Sequence, residues 1–472
     1  MFKKSKFIIV LTMVIAMCFT GITTTMATPG NPNAAFATEE AAITKLLRVP
    51  HGVTVPQTDF TFVVKAIRVD EANYSGSSAL TANMPLVGNN PDYTNATGTI
   101  SIVFSGSKAQ NEYTHFEAGA TDLYYQESSS LFKTTTWPHA GVYEYKITET
   151  KGNYNKPNES LTYSDAEFIV RVYVQMVGNE LKITHIGTLM VTSDVGEKVE
   201  PTDQYKLDPT PGGESGKDDA EYFTSQMIFT NNYWKHNGGT DPKDPSHWTL
   251  SVSKTVTGGF GDRTKYFDFN MTVTKPDLVV PNPGPQKYKA YIVEYSDTSK
   301  AYTVVQNLTG NGITAPDGTD GDGPYINFTS GTQRSFKLRD NQYLAFMDAH
   351  VGATYTITEF KANNYESTAN VVYNGGVAQG GANYGPMTVS LDVNEDLTIP
   401  LLGNTAAAIN QTLYVGEKET SANFINTNNE ITTTGLNLSN LPFIAMIALA
   451  LGSFIAYVVV TSVKKKSYNT QS

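Results

Sequence analysis

Cysteine is nearly absent: the 472 residues contain one, Cys18, and it sits inside an apolar run near the N-terminus. Whatever stabilises the rest of the chain is therefore not a disulfide. The seven histidines, His51, His115, His139, His185, His236, His247 and His350, show no metal-ligand spacing, and no metal or other cofactor is expected. No nucleophile elbow occurs. Helical periodicity is missing outside the two ends. GGESGKD lacks the first glycine and the hydroxyl residue of a phosphate-binding loop, with Pro211 at the glycine position, so it reads as a turn. DGTDGDG, residues 317–323, has acids at calcium-like intervals but neither the loop length nor the closing glutamate of a calcium loop. It reads as a solvated turn. Positive charge is scarce as well. The formal net charge is −11, and removing the six lysines of the two ends, which carry no acid, deepens it to −17. Without clustered Lys and Arg to neutralise phosphates, nucleic acid is not an expected partner.

The two ends place the chain. Lys3, Lys4 and Lys6 precede FIIVLTMVIAMCF, and small residues follow at Ala27, Ala35 and Ala37, the order of charge, apolar core and cleavage site in a secretory signal. Cleavage after Ala27, giving a signal peptide of residues 1–27, suits the distance from the core better than cleavage after Ala37. Met17 stands where a lipoprotein site at Cys18 would need a small residue. The mature chain is then free of cysteine. At the other end, residues 441–463 are almost unbroken apolar sequence, long enough as a helix to cross a bilayer. Lys464, Lys465 and Lys466 open a basic tail, 464–472, that stays cytoplasmic and leaves everything upstream outside. A plain C-terminal anchor would look the same. The segment before the span, ITTTG at 431–435, separates the two readings, because it resembles a cell-wall sorting signal. That resemblance implies a sortase whose cysteine attacks the carbonyl of Thr434 and cleaves the bond to Gly435. Thr432 and Thr433 stand where the family's proline is usual.

The roughly 400 residues between these ends suffice for two or three domains with real cores. Abundant Tyr, Phe and Thr in short alternating runs, punctuated by Gly, Pro and Asn, read as all-β. An internal repeat fixes the number at two. AITKLL around Lys45 returns as LSVSKTV around Lys254, 209 residues on. GVYEYKITE, ending at Glu149, returns as GATYTITE, ending at Glu359, after 210 residues. MIFTN, ending at Asn231, returns as ANFIN, ending at Asn426, after 195 residues, so the second copy has a shorter loop. The expected units are 40–235 and 248–430, joined by the linker HNGGTDPKDPSH, 236–247.

Alternate residues of a strand share a face. Lys45 then faces with Ile43 and Leu47, Lys254 with Val252 and Val256, Glu149 with Tyr145 and Ile147, and Asn231 and Asn426 with Phe229 and Phe424. A lysine at inward parity commonly lies on an edge strand and snorkels to water. The same three residue types at matched spacing in both copies argue for a shared interior role, since an unpaired charge in a core is costly. A buried ion pair bridged by an amide remains the structural alternative.

These segments resemble the pilin isopeptide-linkage domains of Gram-positive backbone pilins. The likeness extends to VPQTDFTFVV (55–64), WPHAGVYEYKITE (137–149), GGFGDRTKYFDFNM (258–271) and FKLRDNQ (336–342). It implies two tandem immunoglobulin-like Greek-key β-sandwich domains. In each, a first-strand lysine would join a last-strand asparagine through an amide, with a glutamate as catalyst. Carried over, the trios are Lys45, Glu149, Asn231 and Lys254, Glu359, Asn426. The implied protein is a wall-anchored pilus shaft subunit and not a turnover enzyme. Its partners would be a sortase, neighbouring pilin subunits and cell-wall peptidoglycan, with a host surface ligand as a further one. Polymerisation also requires an acceptor lysine. The Pro- and Gly-rich stretch QYKLDPTPGGESGKDDAEY offers Lys206 and Lys217 in what reads as an exposed loop. The alternatives are a wall-linked adhesin or accessory pilin at the tip or base, which would lack a usable acceptor, and a surface hydrolase, which would need a pocket with paired carboxylates.

Overall fold

A computed structural model describes residues 39–70, 72–73, 84–92, 94–105, 114–118, 121–199, 206–212, 224–279, 284–376, 387–390, 396–399, 413–429 and 441–468. The signal segment, the sorting motif and Lys217 lie outside the described residues.

Each half pairs two sheets around its own core. In the first half the smaller sheet runs, in spatial order, Thr114–Ala118, Thr121–Glu127, Thr44–Pro50, Ile228–Lys235, Glu159–Leu161. The larger sheet runs Lys206–Leu207, Glu180–Thr192, Glu167–Val177, Gly141–Glu149, Thr58–Val69, Thr97–Phe104, Asn89–Asp92, and Ala72–Asn73 pairs beside Thr58–Val69. In the second half the larger sheet holds Leu250–Thr257 between Gln342–Phe346 and Ser421–Thr427, and the smaller runs Arg334–Leu338, Phe267–Thr274, Thr354–Glu359, Leu397–Ile399. The all-β expectation holds, and its cause is visible strand by strand. In Phe267–Thr274, Phe267, Phe269, Met271 and Val273 are buried and alternate with polar residues. In Thr58–Val69, Phe60, Phe62, Val64 and Ala66 are likewise buried at every second position, with Thr61, Val63 and Lys65 between them on the other face. Period-two alternation presents one apolar face per strand, and two such faces closed on each other form a sandwich.

First and last strands meet side by side in each half, and they run parallel. The closing strand thus returns to where the chain began. The different offset of the third repeat pair also has a place in the fold. After Glu149 the chain makes the long hairpin Glu167–Val177 and Glu180–Thr192, which extends the larger sheet. After Glu359 the neighbour of the glutamate strand is instead the short Leu397–Ile399.

The halves meet at a polar junction. The Lys235 carbonyl accepts from the Val351 N–H at 2.9 Å, and Val351 packs into the first core. The Glu417 carboxylate takes Lys235 Nζ at 2.5 Å together with the N–H and hydroxyl of Thr54 at 2.6 and 2.7 Å. Between them, Pro245–His247 forms a single 3₁₀ turn capped by Asp244. The DGTDGDG turn is latched internally: Asp320 accepts from Lys289, from the Tyr291 hydroxyl and from the backbone of Asp322 and Gly323. A C-terminal helix, Leu441–Tyr468, runs past the expected span into the lysine tail. Within it Ala445–Val463 is long and apolar enough to cross a membrane, and none of that stretch is buried.

Candidate cross-linking sites

Lys45 and Lys254 lie on interior strands. Thr44–Pro50 is flanked by Thr121–Glu127 and Ile228–Lys235, and Leu250–Thr257 by Gln342–Phe346 and Ser421–Thr427. Neither lysine can snorkel past a neighbour, so the edge-strand reading falls. Their exposures are 0% and 1%, and those of Asn231 and Asn426 are both 0%. The parallel register is the same twice. Lys45 is opposite Phe229 and Leu47 opposite Asn231, while Lys254 is opposite Phe424 and Val256 opposite Asn426. Lysine and asparagine are therefore diagonal neighbours, two residues apart on one face, within reach of a long side chain. The glutamates come from the opposing sheet, at the last residue of Gly141–Glu149 and of Thr354–Glu359. Each reaches across the sandwich.

In the first half the Lys45 amine donates to both oxygens of Glu149 at 3.0 Å, and the Asn231 amide donates to Oε1 at 2.9 Å. The Ser164 N–H completes the site: it is 2.9 Å from Glu149 Oε2 and 2.9 Å from Asn231 Oδ1. Ser164 is itself held, because its hydroxyl donates to Asp194 Oδ1, which also accepts the Thr230 N–H at 2.9 Å. In the second half Lys254 donates to Glu359 Oε1 at 2.9 Å and to the Phe424 carbonyl at 3.3 Å, and the Asn426 amide donates to the same Oε1 at 2.9 Å. Here Glu359 Oε2 and Asn426 Oδ1 are buried with no donor among the described residues.

The electrostatics follow from the dryness of both sites. Burial pulls Lys45 and Lys254 from the ordinary lysine value down to about 8, against the opposing pull of the adjacent glutamates. Burial likewise raises both Glu149 and Glu359, although the lysine and the asparagine amide work the other way. Burial thus disfavours the charged form of both partners, moving the lysines down and the glutamates up. Aromatic rings close the sites: Lys45 Nζ is 4.5 Å from the Phe60 centroid and 5.9 Å from Phe62, and Lys254 Nζ is 4.5 Å from Phe267.

Both trios expected from the sequence are thus brought together. Reading the sequence alone misses Ser164, Asp194 and the role of the phenylalanines. The phenylalanines had a signal, since DFTF and YFDF occupy matching places in the two copies. Ser164 had none, because every residue except proline supplies a backbone N–H.

The other expected sites stand differently. Thr434, Gly435 and Lys217 lie outside the described residues. Lys206, expected in a loop, is instead in a two-residue strand opposite Leu189, at the rim of the larger sheet. The backbone has an unused ladder edge there to satisfy, and Lys206–Leu207 takes it. The chain on either side of 213–223 is pinched together. Glu127 accepts from Gly212 N at 3.0 Å and from Ser225 N at 2.6 Å, and Ala42 N donates to the Pro209 carbonyl. This base adjoins the start of the first strand, whose far end, Pro50, abuts Gly352 at the junction. In the second half Leu250–Thr257 starts at the junction, where Ser251 N meets the Thr420 carbonyl, and ends where Asn428 N meets the Thr257 carbonyl. Gly212 and Ser225 therefore lie by the end of the first strand that is away from the junction, and Asn428 by the end of Leu250–Thr257 that is away from it.

Comparison with known proteins finds likeness along most of the chain. A family model described as a domain of unknown function, DUF7601, matches residues 248–385. A pilin from Streptococcus pyogenes serotype M1 is 21% identical over 406 residues, covering 86% of this chain and 85% of that protein. The crystal structure of the major pilin from Streptococcus pyogenes is 17% identical, covers 83% of this chain and 100% of that one, and has a TM-score of 0.27. The major pilin protein T3.2 of the same organism is 16% identical, with 83% and 99% covered and a TM-score of 0.27. The resemblance to Gram-positive pilins read from the motifs is matched by a pilin aligned over nearly the whole chain.

Proposed function

We propose that the chain is a cell-surface pilus shaft subunit whose two sandwiches are each closed by a Lys–Asn amide, Lys45 to Asn231 and Lys254 to Asn426. One observation carries this reading: a buried Lys, Glu and Asn meet twice, in the same register, at the seam of first and last strands. Chance does not repeat such a costly arrangement. The neutral lysine amine attacks the asparagine Cγ, the Nζ–Cγ bond forms, the Cγ–Nδ2 bond breaks, and ammonia leaves carrying a proton relayed from Nζ. Glu149 and Glu359 are the groups placed to move that proton, each within 3.0 Å of both nitrogens. Fixed neighbours supply most of the rate advantage. Each half reacts once, so no turnover enzyme results.

The consequence is mechanical. Each amide would enclose most of its half, and a cross-link over so long a loop contributes about 5 kcal/mol by loss of unfolded-chain entropy. Tension applied at the ends would pass along the bridged first and last strands and spare the other hydrogen bonds. A chain without disulfides gains a covalent clasp. A sortase would then take the Thr434 acyl group, releasing Gly435, and pass it to a lysine of the next subunit or to peptidoglycan. Gly212 and Ser225, by the outer end of the first strand, and Asn428, by the outer end of Leu250–Thr257, support head-to-tail growth, with Lys206 and Lys217 as the candidate acceptors. Electrophoresis of cell-wall extracts tests the shaft role. An SDS-resistant ladder that Lys217→Ala or Lys206→Ala abolishes is expected, and a single wall-linked band in the unsubstituted strain would point to an accessory pilin.

A further inference from the structure

The proposed reaction needs a donor on the asparagine carbonyl oxygen, where negative charge develops as the amine attacks. The two halves do not supply it alike. Asn231 Oδ1 receives the Ser164 N–H, whereas Asn426 Oδ1 is buried with no donor among the described residues, and so is Glu359 Oε2, on the carboxylate whose other oxygen accepts the Asn426 amide at 2.9 Å. A single proton on Glu359 Oε2, turned to Asn426 Oδ1, would satisfy both orphans. In the first half no such proton is needed, because Glu149 already accepts Lys45, Asn231 and Ser164.

Resting on the cross-linking reading above, we propose that the two halves form the same bond through different donors: the Ser164 backbone N–H polarises Asn231, while the acid proton of Glu359 polarises Asn426. At the first site Glu149 is then free to act as the base, receiving the proton from Lys45 Nζ and returning it to the departing Nδ2. At the second site Glu359 begins as the acid and takes the Lys254 proton as it gives up its own. Both routes release one ammonia and conserve every proton. Asp194 is a positioning residue. Its Oδ1 gathers the Ser164 hydroxyl and the Thr230 N–H, the latter next in chain to Asn231, and so sets donor and acceptor against each other.

The two routes titrate with opposite sense. The first-site reactive pair is a neutral lysine with an ionised glutamate, which gains population as pH rises. The second-site pair is a neutral lysine with a protonated glutamate, which holds one proton throughout and is lost when that proton leaves. The charged groups facing the first site are Lys45, Glu149 and Asp194, with the Tyr163 phenol near Glu149. Those facing the second are Lys254, Glu359 and Asp340.

The test is refolding of the full-length chain, recovered unfolded and therefore unlinked, into detergent buffers on both sides of the lysine value of about 8. Acid quenching, digestion and mass spectrometry of the two branched peptides give a rate for each site in one molecule. The first-site rate is expected to rise roughly tenfold per pH unit up to about 8 and then level, and the second-site rate to stay flat and then fall. Asp194→Ala should slow only the first site, on the order of tenfold or more, and Asp194→Asn, which keeps the accepting oxygen, should restore it. The sign is diagnostic. Asp194 also favours the charged form of Lys45, so if it acted merely as a charge, Ala and Asn would both free the amine and speed the bond. Identical pH profiles at the two sites, or Ala and Asn variants that behave alike, would overturn the inference. If Asp194→Ala does not refold, the profiles of the unsubstituted chain decide. Absence of either branched peptide at every pH would overturn the cross-linking reading itself.

Discussion

The two halves hold one chemical trio in one strand register, yet surround it differently. Around Lys45, Glu149 and Asn231 every polar atom has a partner, because the segments entering and leaving the long hairpin bring Ser164 and Asp194 to the seam. Around Lys254, Glu359 and Asn426 two oxygens are left without donors among the described residues. Such orphans are costly unless a proton fills the gap. The trio and its register are common to both halves, and in the proposed reaction the means of polarising the carbonyl would depend on what the neighbouring loops can reach.

The largest expected effect comes from removing the proton carriers one half at a time. Glu149→Ala should abolish the first cross-link and Glu359→Ala the second, each at a cost of about 5 kcal/mol from lost chain constraint alone. Calorimetry should show the affected half unfolding early and the other unchanged. If either substitution lowers both transitions equally, the halves do not close independently.

Next in size is a pH effect that appears only when the bond cannot form. In Asn231→Ala and Asn426→Ala the lysines stay free, with folded values of about 8 below an unfolded value near 10.5. Between those values the unfolded chain binds the extra proton, so stability should rise with pH by about 1.4 kcal/mol per unit. Below about 8 the penalty is constant as far as the lysine is concerned. Urea titrations across this window check it, and the cross-linked parent, with no amine to titrate, should lack the rise.

The smallest effect concerns the rings. Lys45 has Phe60 and Phe62 within 6 Å of its amine, whereas among the described residues Phe267 is the ring over Lys254, at 4.5 Å. A ring face favours the charged amine by about 0.5–1 kcal/mol. Phe267→Leu should therefore lower the lysine value further and speed the second cross-link a few-fold at neutral pH. Phe60→Leu should change the first less, and refolding followed by peptide mapping compares them.

Much of this was legible in the sequence. Strand parity alone pointed Lys45, Glu149 and Asn231 inward, and the repeat at nearly constant offset tied them to Lys254, Glu359 and Asn426. What parity could not tell was whether each lysine strand was interior or at an edge, since that depends on pairing with distant segments such as Thr121–Glu127 and Gln342–Phe346. Ser164 acts through its backbone, which no residue type announces. Asp194 works from a turn whose position follows only from the bulged hairpin of Glu167–Val177 and Glu180–Thr192. Lys206 read as loop because Pro and Gly surround it, yet an open sheet edge recruited it into a strand.

The most direct measurement is the intact mass of the purified chain. A mass below the sequence value by two ammonia molecules is expected, with Glu149→Ala and Glu359→Ala each restoring one. A mass equal to the sequence value would mean that both trios are buried ion pairs and nothing more, and the covalent clasp would be gone.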